Sequence, residues 1–354
     1  MKILYLINDI TMPGGLSRVT INLVDEFAKL GGEYQVHVLS ATAKFDKVLN
    51  LNIDYLDMPP LHGITPIKKL MWYTSLRQKV EKYVDNNAYD IVIAVGTAMT
   101  LFASFCRLKK AKLWGAEHSA HNGGHWFRKS IKRWRYPQLD KLICLTKTDK
   151  IRYYDDLVED VAVIPNYTQF SDISSTYSGN KSILFVGRYN KVKGVDYLLE
   201  IISDVSPLLP EWHFNLFGEG ELKSWLQAKL NEKGLSKVAT VNEPTDSVSE
   251  KYRIAGILIM TSRNEGFPMV LLEAQAHGLP IVSFDCETGP SEIIHHGEDG
   301  YLIPAYDTKE FASKLVELAM DDEKRKSMSG KALIHRQKHS KEAVLELWLQ
   351  QFRS

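Results

Sequence analysis

Short runs of β-branched and aliphatic residues alternate with longer segments of helical period along nearly the whole chain, and this alternation breaks only once. The break is the polar stretch Asn166–Lys181, rich in Ser, Thr and Asn and poor in large aliphatic residues. A strand that reads as a continuous apolar run is buried on both faces, and strands that alternate with helices build a parallel sheet with helices on either side. The spacing predicts seven strands before the break: Lys2–Ile7, Tyr34–Leu39, Ile53–Leu56, Ile91–Val95, Lys112–Glu117, Leu142–Leu145 and Val161–Ile164. Six follow it: Ile183–Val186, His213–Phe217, Val238–Val241, Ile257–Met260, Ile281–Phe284 and Tyr301–Ile303. Helices are expected at Ser17–Leu30, Pro66–Val84, Ala98–Leu108, Thr146–Asp156, Val195–Val205, Glu221–Glu232, Ser247–Arg253, Met269–His277 and Thr308–Met320. Two more are expected to close the chain.

At 354 residues the chain exceeds what one hydrophobic core usually serves, so two doubly wound α/β domains are expected. The expected division is residues 1–166, a linker at 167–181, and 182–339, with a final helix near 340–354 returning to the first domain. In such sheets ligands bind beyond the carboxyl ends of the strands, so the loops after strands, facing a central cleft, are where chemistry is sought.

Composition narrows the function classes. The hydrophobic fraction of 44% and charged fraction of 25% are those of a globular protein. Cys106, Cys144 and Cys286 lie too far apart for a disulfide framework or a four-cysteine zinc site, which fits a reducing cytoplasm. The opening apolar run ends at Asn8-Asp9, too short for an export signal, and the uncharged run Ile91–Cys106 is shorter than the ~20 residues of a spanning helix. Residues 1–166 hold 23 Lys and Arg against 17 Asp and Glu, while the rest of the chain is net acidic. Most of the excess lies in residues 105–152, and the acidic second half with no reading motif speaks against nucleic acid.

Five loops carry candidate chemistry. In Thr261-Ser-Arg-Asn-Glu-Gly-Phe-Pro-Met-Val-Leu-Leu-Glu273, Pro268 suits the first turn of a helix whose unpaired N–H groups attract an anion. Glu265 and Glu273 are acceptor-only groups suited to sugar hydroxyls, unless they are a capping acid and a solvated helix residue. In Gly187-Arg-Tyr-Asn-Lys-Val-Lys-Gly194, a Gly at a strand end admits a ligand to the backbone, and Arg188 and Lys193 can neutralise a diphosphate. No Lys-Ser or Lys-Thr follows, so this is not a P-loop. Asn8–Arg18 contains Gly14 and Gly15 ahead of a helix, without the third glycine of a dinucleotide fingerprint. Glu117–His125 contains His118, His121 and His125; its glycines favour a cleft-lining loop over a zinc site, with His118 best placed for acceptor contact or proton transfer. Finally, Trp126, Arg128, Lys129, Lys132, Arg133 and Trp134 interleave aromatics with bases, a pattern suited to an anionic membrane surface or to a helix that packs its aromatics inward.

Taken in order, these motifs resemble the retaining glycosyltransferases of family 4, whose GT-B fold sets two Rossmann-like domains face to face. The match is most specific at Glu265-Gly-Phe-Pro-Met-Val-Leu-Leu-Glu273, supported by Gly187-Arg188 and Lys193-Gly194. The resemblance implies that Arg188 and Lys193 bind the diphosphate of a nucleotide-sugar, Glu273 the ribose and Glu265 the transferred sugar, with Gly187, Gly266, Phe267, Met269 and Val270 lining the site. Gly15 would approach the diphosphate from the first domain, and His118 would lie near donor and acceptor. Ser17 stands where many relatives carry Glu, so no acceptor role is assigned to it. The resemblance implies no cofactor and no metal. Asp285-Cys-Glu-Thr-Gly-Pro-Ser-Glu-Ile293 is similar to a stretch of bacterial polysaccharide members that use UDP-sugars and extend lipid-linked or lipopolysaccharide acceptors at the inner membrane face. A sugar-nucleotide 2-epimerase of the same fold, or a non-catalytic nucleotide-sugar-binding protein, are the competing readings.

Overall fold

The computed structural model describes residues 1–12, 14–42, 51–59, 65–118, 126–170 and 177–354, apart from the side chains of Pro66, Trp126 and Phe127. The chain divides into two compact units, Met1–Ile164 and Pro165–Ser354. The first is built on a seven-stranded sheet: β1 (Lys2–Ile7), β2 (Gln35–Ser40), β3 (Ile53–Tyr55), β4 (Ile91–Val95), β5 (Lys112–Ala116), β6 (Lys141–Cys144) and β7 (Val161–Val163), in the order β3-β2-β1-β4-β5-β6-β7. The second holds β8 (Ser182–Val186), β9 (His213–Phe217), β10 (Ala239–Asn242), β11 (Ile257–Met260), β12 (Ile281–Asp285) and β13 (Gly300–Pro304), in the order β10-β9-β8-β11-β12-β13. Every pairing in both sheets is parallel.

The central strands are buried on both faces. All five residues of β4 and all four of β6 and β11 are buried, as are five of the six in β1. Helices supply the apolar partners. In the second unit Val195–Val205 sets Leu198, Ile201, Ile202 and Val205 into the core, and Thr308–Met320 adds Phe311, Leu315 and Leu318. In the first unit Leu76, Val80 and Val84 of the helix Pro66–Asn87 pack with Leu4, Leu6 and Val92 of the sheet. Burial of this kind contributes roughly 1.5–3 kcal/mol per large aliphatic side chain.

Each sheet reverses its strand order once, between β1 and β4 and between β8 and β11. These are the topological switch points where adjoining loops diverge and open a ligand crevice. The loop carrying Gly15 follows β1; the loop carrying Arg188 and Lys193 follows β8; the loop carrying Glu265 follows β11.

Two expected helices differ from their sequence reading. The helix expected at Ala98–Leu108 ends at Ala103, where the Ser104 hydroxyl donates to the Leu101 carbonyl at 2.6 Å and competes with the helical ladder. The helix expected at Thr146–Asp156 is one α-turn, Lys147–Asp149, continued by a π-turn at Lys150–Tyr154. Thr146 caps that start by accepting from the Asp149 N–H at 2.9 Å. The closing helices are Asp322–His335 and Lys341–Arg353. Among the described residues, no helix is long and apolar enough to cross a membrane.

Candidate active site

The loops after β8 and β11 are locked to each other by backbone contacts. Gly194 adopts a left-handed conformation (φ 66°), and a Cβ there would fall 2.0 Å from the Thr261 carbonyl oxygen. Only glycine lets the loop reach β11 this closely. The Thr261 hydroxyl donates to the Lys193 carbonyl at 2.9 Å, and the Arg263 N–H donates to the Val192 carbonyl at 2.7 Å. Asn190 Oδ1 accepts from the Lys193 N–H at 2.9 Å, curling the loop back on itself.

This packing delivers Lys193 Nζ to Glu265 Oε1 at 2.5 Å, although the residues are 72 apart in sequence. The carboxylate is mostly buried and the ammonium partly exposed, so the cation stays accessible while its partner is fixed. Arg188 is exposed near the start of the same β8 loop. The Glu265 backbone carbonyl accepts from the buried Thr288 hydroxyl at 2.6 Å, tying this loop to the segment after β12. There Gly289 (φ 101°) lies under Gly266 and Pro268, where a Cβ would come within 2.6 Å of the Pro268 ring.

Pro268 is the N-cap of the helix Met269–Ala276, and no side-chain hydrogen bond caps that end, where the dipole of the helix is positive. Glu273, one turn along, is buried. Its Oε2 accepts from the Tyr252 hydroxyl at 2.8 Å, which excludes the solvated-helix reading of this residue. The Tyr252 ring stacks on His277, whose Nε2 lies 2.8 Å from the Ser249 hydroxyl. Burial holds the His277 imidazole below its ordinary pKa. Phe267 is buried edge-on against His339, which burial lowers to about 3.

In the first unit, Gly15 begins the helix Gly15–Leu30, and a Cβ there would meet nothing within 4 Å. Ser17 is buried and donates to the Asp9 carbonyl at 3.3 Å, so its hydroxyl serves the loop. His118 lies two residues past the end of β5. Desolvation pulls its imidazole down to about 4 against the opposing field of Glu117, so it is neutral at pH 7. His121 and His125 lie outside the described residues, as do residues 171–176 of the expected linker and the side chain of Trp126.

The basic aromatic patch requires a correction. Lys132 does not face outward: it is buried, and its Nζ lies 3.2 Å from Glu117 Oε1, itself buried at the end of β5. Glu117 also accepts from the Tyr136 and Thr97 hydroxyls. Lys141, another of the basic excess, is buried against Asp160 and Trp114. What remains on the surface of the helix Trp126–Arg135 is Arg128, Lys129, Arg133 and Trp134. Removing one member of a buried ion pair strands the other, so Lys132→Ala is expected to cost about 3 kcal/mol. Arg133→Ala is expected to change stability by less than about 0.5 kcal/mol, and urea unfolding compares the two.

One positioning residue carried no signal in the sequence. Arg263 forms a bidentate pair with Asp196, both contacts at 2.6 Å, and lies 3.9 Å over the Tyr197 ring. It also donates to the Lys191 carbonyl at 2.8 Å. This cation is committed to holding the β8 loop, and it keeps the Asp196 carboxyl below the usual range. Asp196, in the first turn of the helix Val195–Val205, engages this guanidinium with both of its carboxylate oxygens.

Two parallel sheets of Rossmann type, with acids and bases gathered at the switch point of the second, define the GT-B class of sugar-transferring enzymes. The description "Glycosyltransferase Family 4" matches residues 13–168 and "Glycosyl transferases group 1" residues 167–333, and the chain belongs to the glycosyltransferases of this family-4 type. It is 28% identical over 361 residues to an uncharacterised glycosyltransferase of Haemophilus influenzae, covering 98% of each chain. It is also 28% identical to the amylovoran biosynthesis glycosyltransferase AmsD of Erwinia amylovora, again over 98% of each. The solved structure of Anabaena Alr3699/HepE in complex with UDP-glucose superposes with a TM-score of 0.81 at 18% identity, over 100% of this chain and 99% of that one.

Proposed function

We propose that this protein transfers a hexose or N-acetylhexosamine from a UDP-sugar to a saccharide acceptor, with retention of anomeric configuration, in the assembly of a bacterial surface polysaccharide or lipopolysaccharide. The observation that carries this reading is the 2.5 Å contact between Lys193 and Glu265 at the second sheet's switch point. A cation and a carboxylate held together there are the two charges that a sugar diphosphate needs: one for the phosphates, one for the hydroxyls.

In this reading Arg188 and Lys193 hold the diphosphate, and the N–H groups of Met269 and Val270 add the positive end of a helix. Gly187, Gly266 and Phe267 line the pocket. Glu273, oriented by Tyr252, accepts from the ribose hydroxyls, and Glu265 accepts from a hydroxyl of the transferred sugar. The acceptor oxygen attacks the anomeric carbon on the face from which the diphosphate departs. The bond from that carbon to the phosphate oxygen breaks, its electron pair leaves with UDP, and the acceptor proton passes to the departing oxygen. Charge accumulates on the diphosphate as the bond breaks, and fixed cations stabilise that state more than the ground state. No cofactor and no metal take part in this scheme. Gly15 is a further contact to the diphosphate, and His118 lies near donor and acceptor, where a neutral imidazole can donate to or accept from a hydroxyl. The acceptor is lipid-linked, and Arg128, Lys129, Arg133 and Trp134 face an anionic membrane surface on the cytoplasmic side.

AmsD, by its name, is a glycosyltransferase of amylovoran biosynthesis, and HepE was solved with UDP-glucose, which supports a UDP-linked donor here. A panel of UDP-, GDP- and ADP-sugars, assayed with lipid-linked saccharide acceptors for release of nucleoside diphosphate, tests the proposal. Release of UDP that requires an acceptor is expected. Conversion of the donor sugar itself without acceptor would mean an epimerase, and release from GDP- or ADP-sugars alone would overturn the nucleotide assignment.

A further inference from the structure

Away from the residues assigned to the donor, the second unit gathers two histidines around a carboxylate. Asp299, in the turn before β13, is completely buried, and its Oδ2 lies 2.8 Å from His335 Nδ1 and 3.4 Å from His295 Nδ1. His335 comes from the helix Asp322–His335, 36 residues on, so the fold and not local sequence brings these groups together. Ligand atoms from the three residues all lie within 4.8 Å of one another.

A buried carboxylate is unfavourable unless charge and hydrogen bonds compensate it. Among the described residues no Lys or Arg pairs with Asp299; the ion-pair partners facing it are the two imidazoles. Its Oδ1 is taken by the His295 N–H at 2.7 Å, and Gln275 Nε2 donates to Oδ2 at 3.0 Å. Gln275 Oε1 beside it is buried with no partner. His335 turns Nδ1 toward Asp299 and sets Nε2 3.4 Å from the Glu298 carboxylate. An imidazole with one nitrogen aimed inward and the other held by a carboxylate is the arrangement that orients metal-binding histidines.

We propose that His295, Asp299 and His335 bind one divalent transition-metal ion of the zinc class, through the two Nδ1 atoms and Oδ2. Imidazole and carboxylate together suit zinc, cobalt and nickel better than magnesium or calcium, which prefer oxygen alone. In a tetrahedral site with bonds of about 2.0–2.1 Å, ligand atoms stand about 3.3 Å apart. The 3.4 Å separation already matches, and the 2.8 Å one opens by half an ångström as the ion displaces the shared proton. The two rings lie tilted against each other with centroids 3.9 Å apart, and the His295 side chain is 42% exposed, so it can swing to admit the ion and leaves a fourth position to water. The ion would tie the turn before β13 to the helix Asp322–His335 and to Gln275, on the helix that also carries Glu273. Its role is structural, and the transfer chemistry proposed above does not pass through it.

The full-length protein, stripped with chelator and titrated with cobalt(II), tests this by visible absorption and by melting temperature. The expected result is one equivalent bound with tetrahedral ligand-field bands, displaced by zinc, and a raised melting temperature, since an ion that binds only the folded state stabilises it. His295→Ala, at an exposed position, and His335→Ala should each weaken binding at least tenfold, and Glu298→Gln about tenfold. UDP binding should be unchanged in His295→Ala. No bands and no melting shift in the wild-type protein would overturn the proposal. So would unaltered affinity in both histidine variants, which would assign the ion to other side chains.

Discussion

Glu265→Gln is expected to lower the turnover of a UDP-sugar by roughly a hundredfold to a thousandfold, the scale of removing one preorganised group from a transition state. It should leave UDP binding intact or slightly tighter. The opposed signs follow from the unliganded geometry. Lys193 Nζ sits 2.5 Å from Glu265 Oε1, so a diphosphate must compete with that carboxylate for the ammonium. An amide in place of the carboxylate keeps the shape and removes the competitor, while the hydroxyl of the transferred sugar loses its charged acceptor. Single-turnover rates beside UDP affinity separate the two effects. Equal losses in both would mean that Glu265 acts only by shaping the β11 loop.

Gly194→Ala is expected to destabilise the second unit by about 3 kcal/mol and to abolish donor binding along with it. A left-handed conformation costs a residue bearing a Cβ about 1–2 kcal/mol, and overlap with backbone adds to this. The added methyl would fall 2.0 Å from the Thr261 carbonyl oxygen, and neither backbone can yield without parting the β8 and β11 loops. Lys193, the adjacent residue, would move with them. Gly15→Ala is the control: its Cβ meets nothing within 4 Å, so stability should be unchanged. If Gly15 borders the donor, turnover alone should fall. Urea midpoints and UDP-release rates for the two variants decide this; equal stability of both would contradict the described packing at Gly194.

The strands were legible because parallel strands buried on both faces leave unbroken aliphatic runs in the sequence. Each strand among the described residues lies within one residue of its expected bounds. Helix ends were less so, because one hydroxyl decides them: Ser104 donates to Leu101 and stops a helix whose apolar pattern continues to Leu108. Within the site, Glu265 and Glu273 share one loop and helix, so their spacing was readable. The contacts that make the site act are not local. The Lys193–Glu265 pair spans 72 residues, and the clamp of Arg263 on Asp196 spans 67. Lys132 misled for the same reason: a lysine in a basic run reads as solvated, and its buried partner Glu117 lies at the end of another strand.

The central claim is that the loops after β8 and β11 form a diphosphate site, and titration calorimetry of UDP against the wild-type protein and Lys193→Ala tests it most directly. Losing a charge-assisted hydrogen bond costs about 1.5–3 kcal/mol, so the variant should bind UDP about tenfold to a hundredfold more weakly. Wild-type protein that does not bind UDP, or a variant that binds it equally well, would contradict the account.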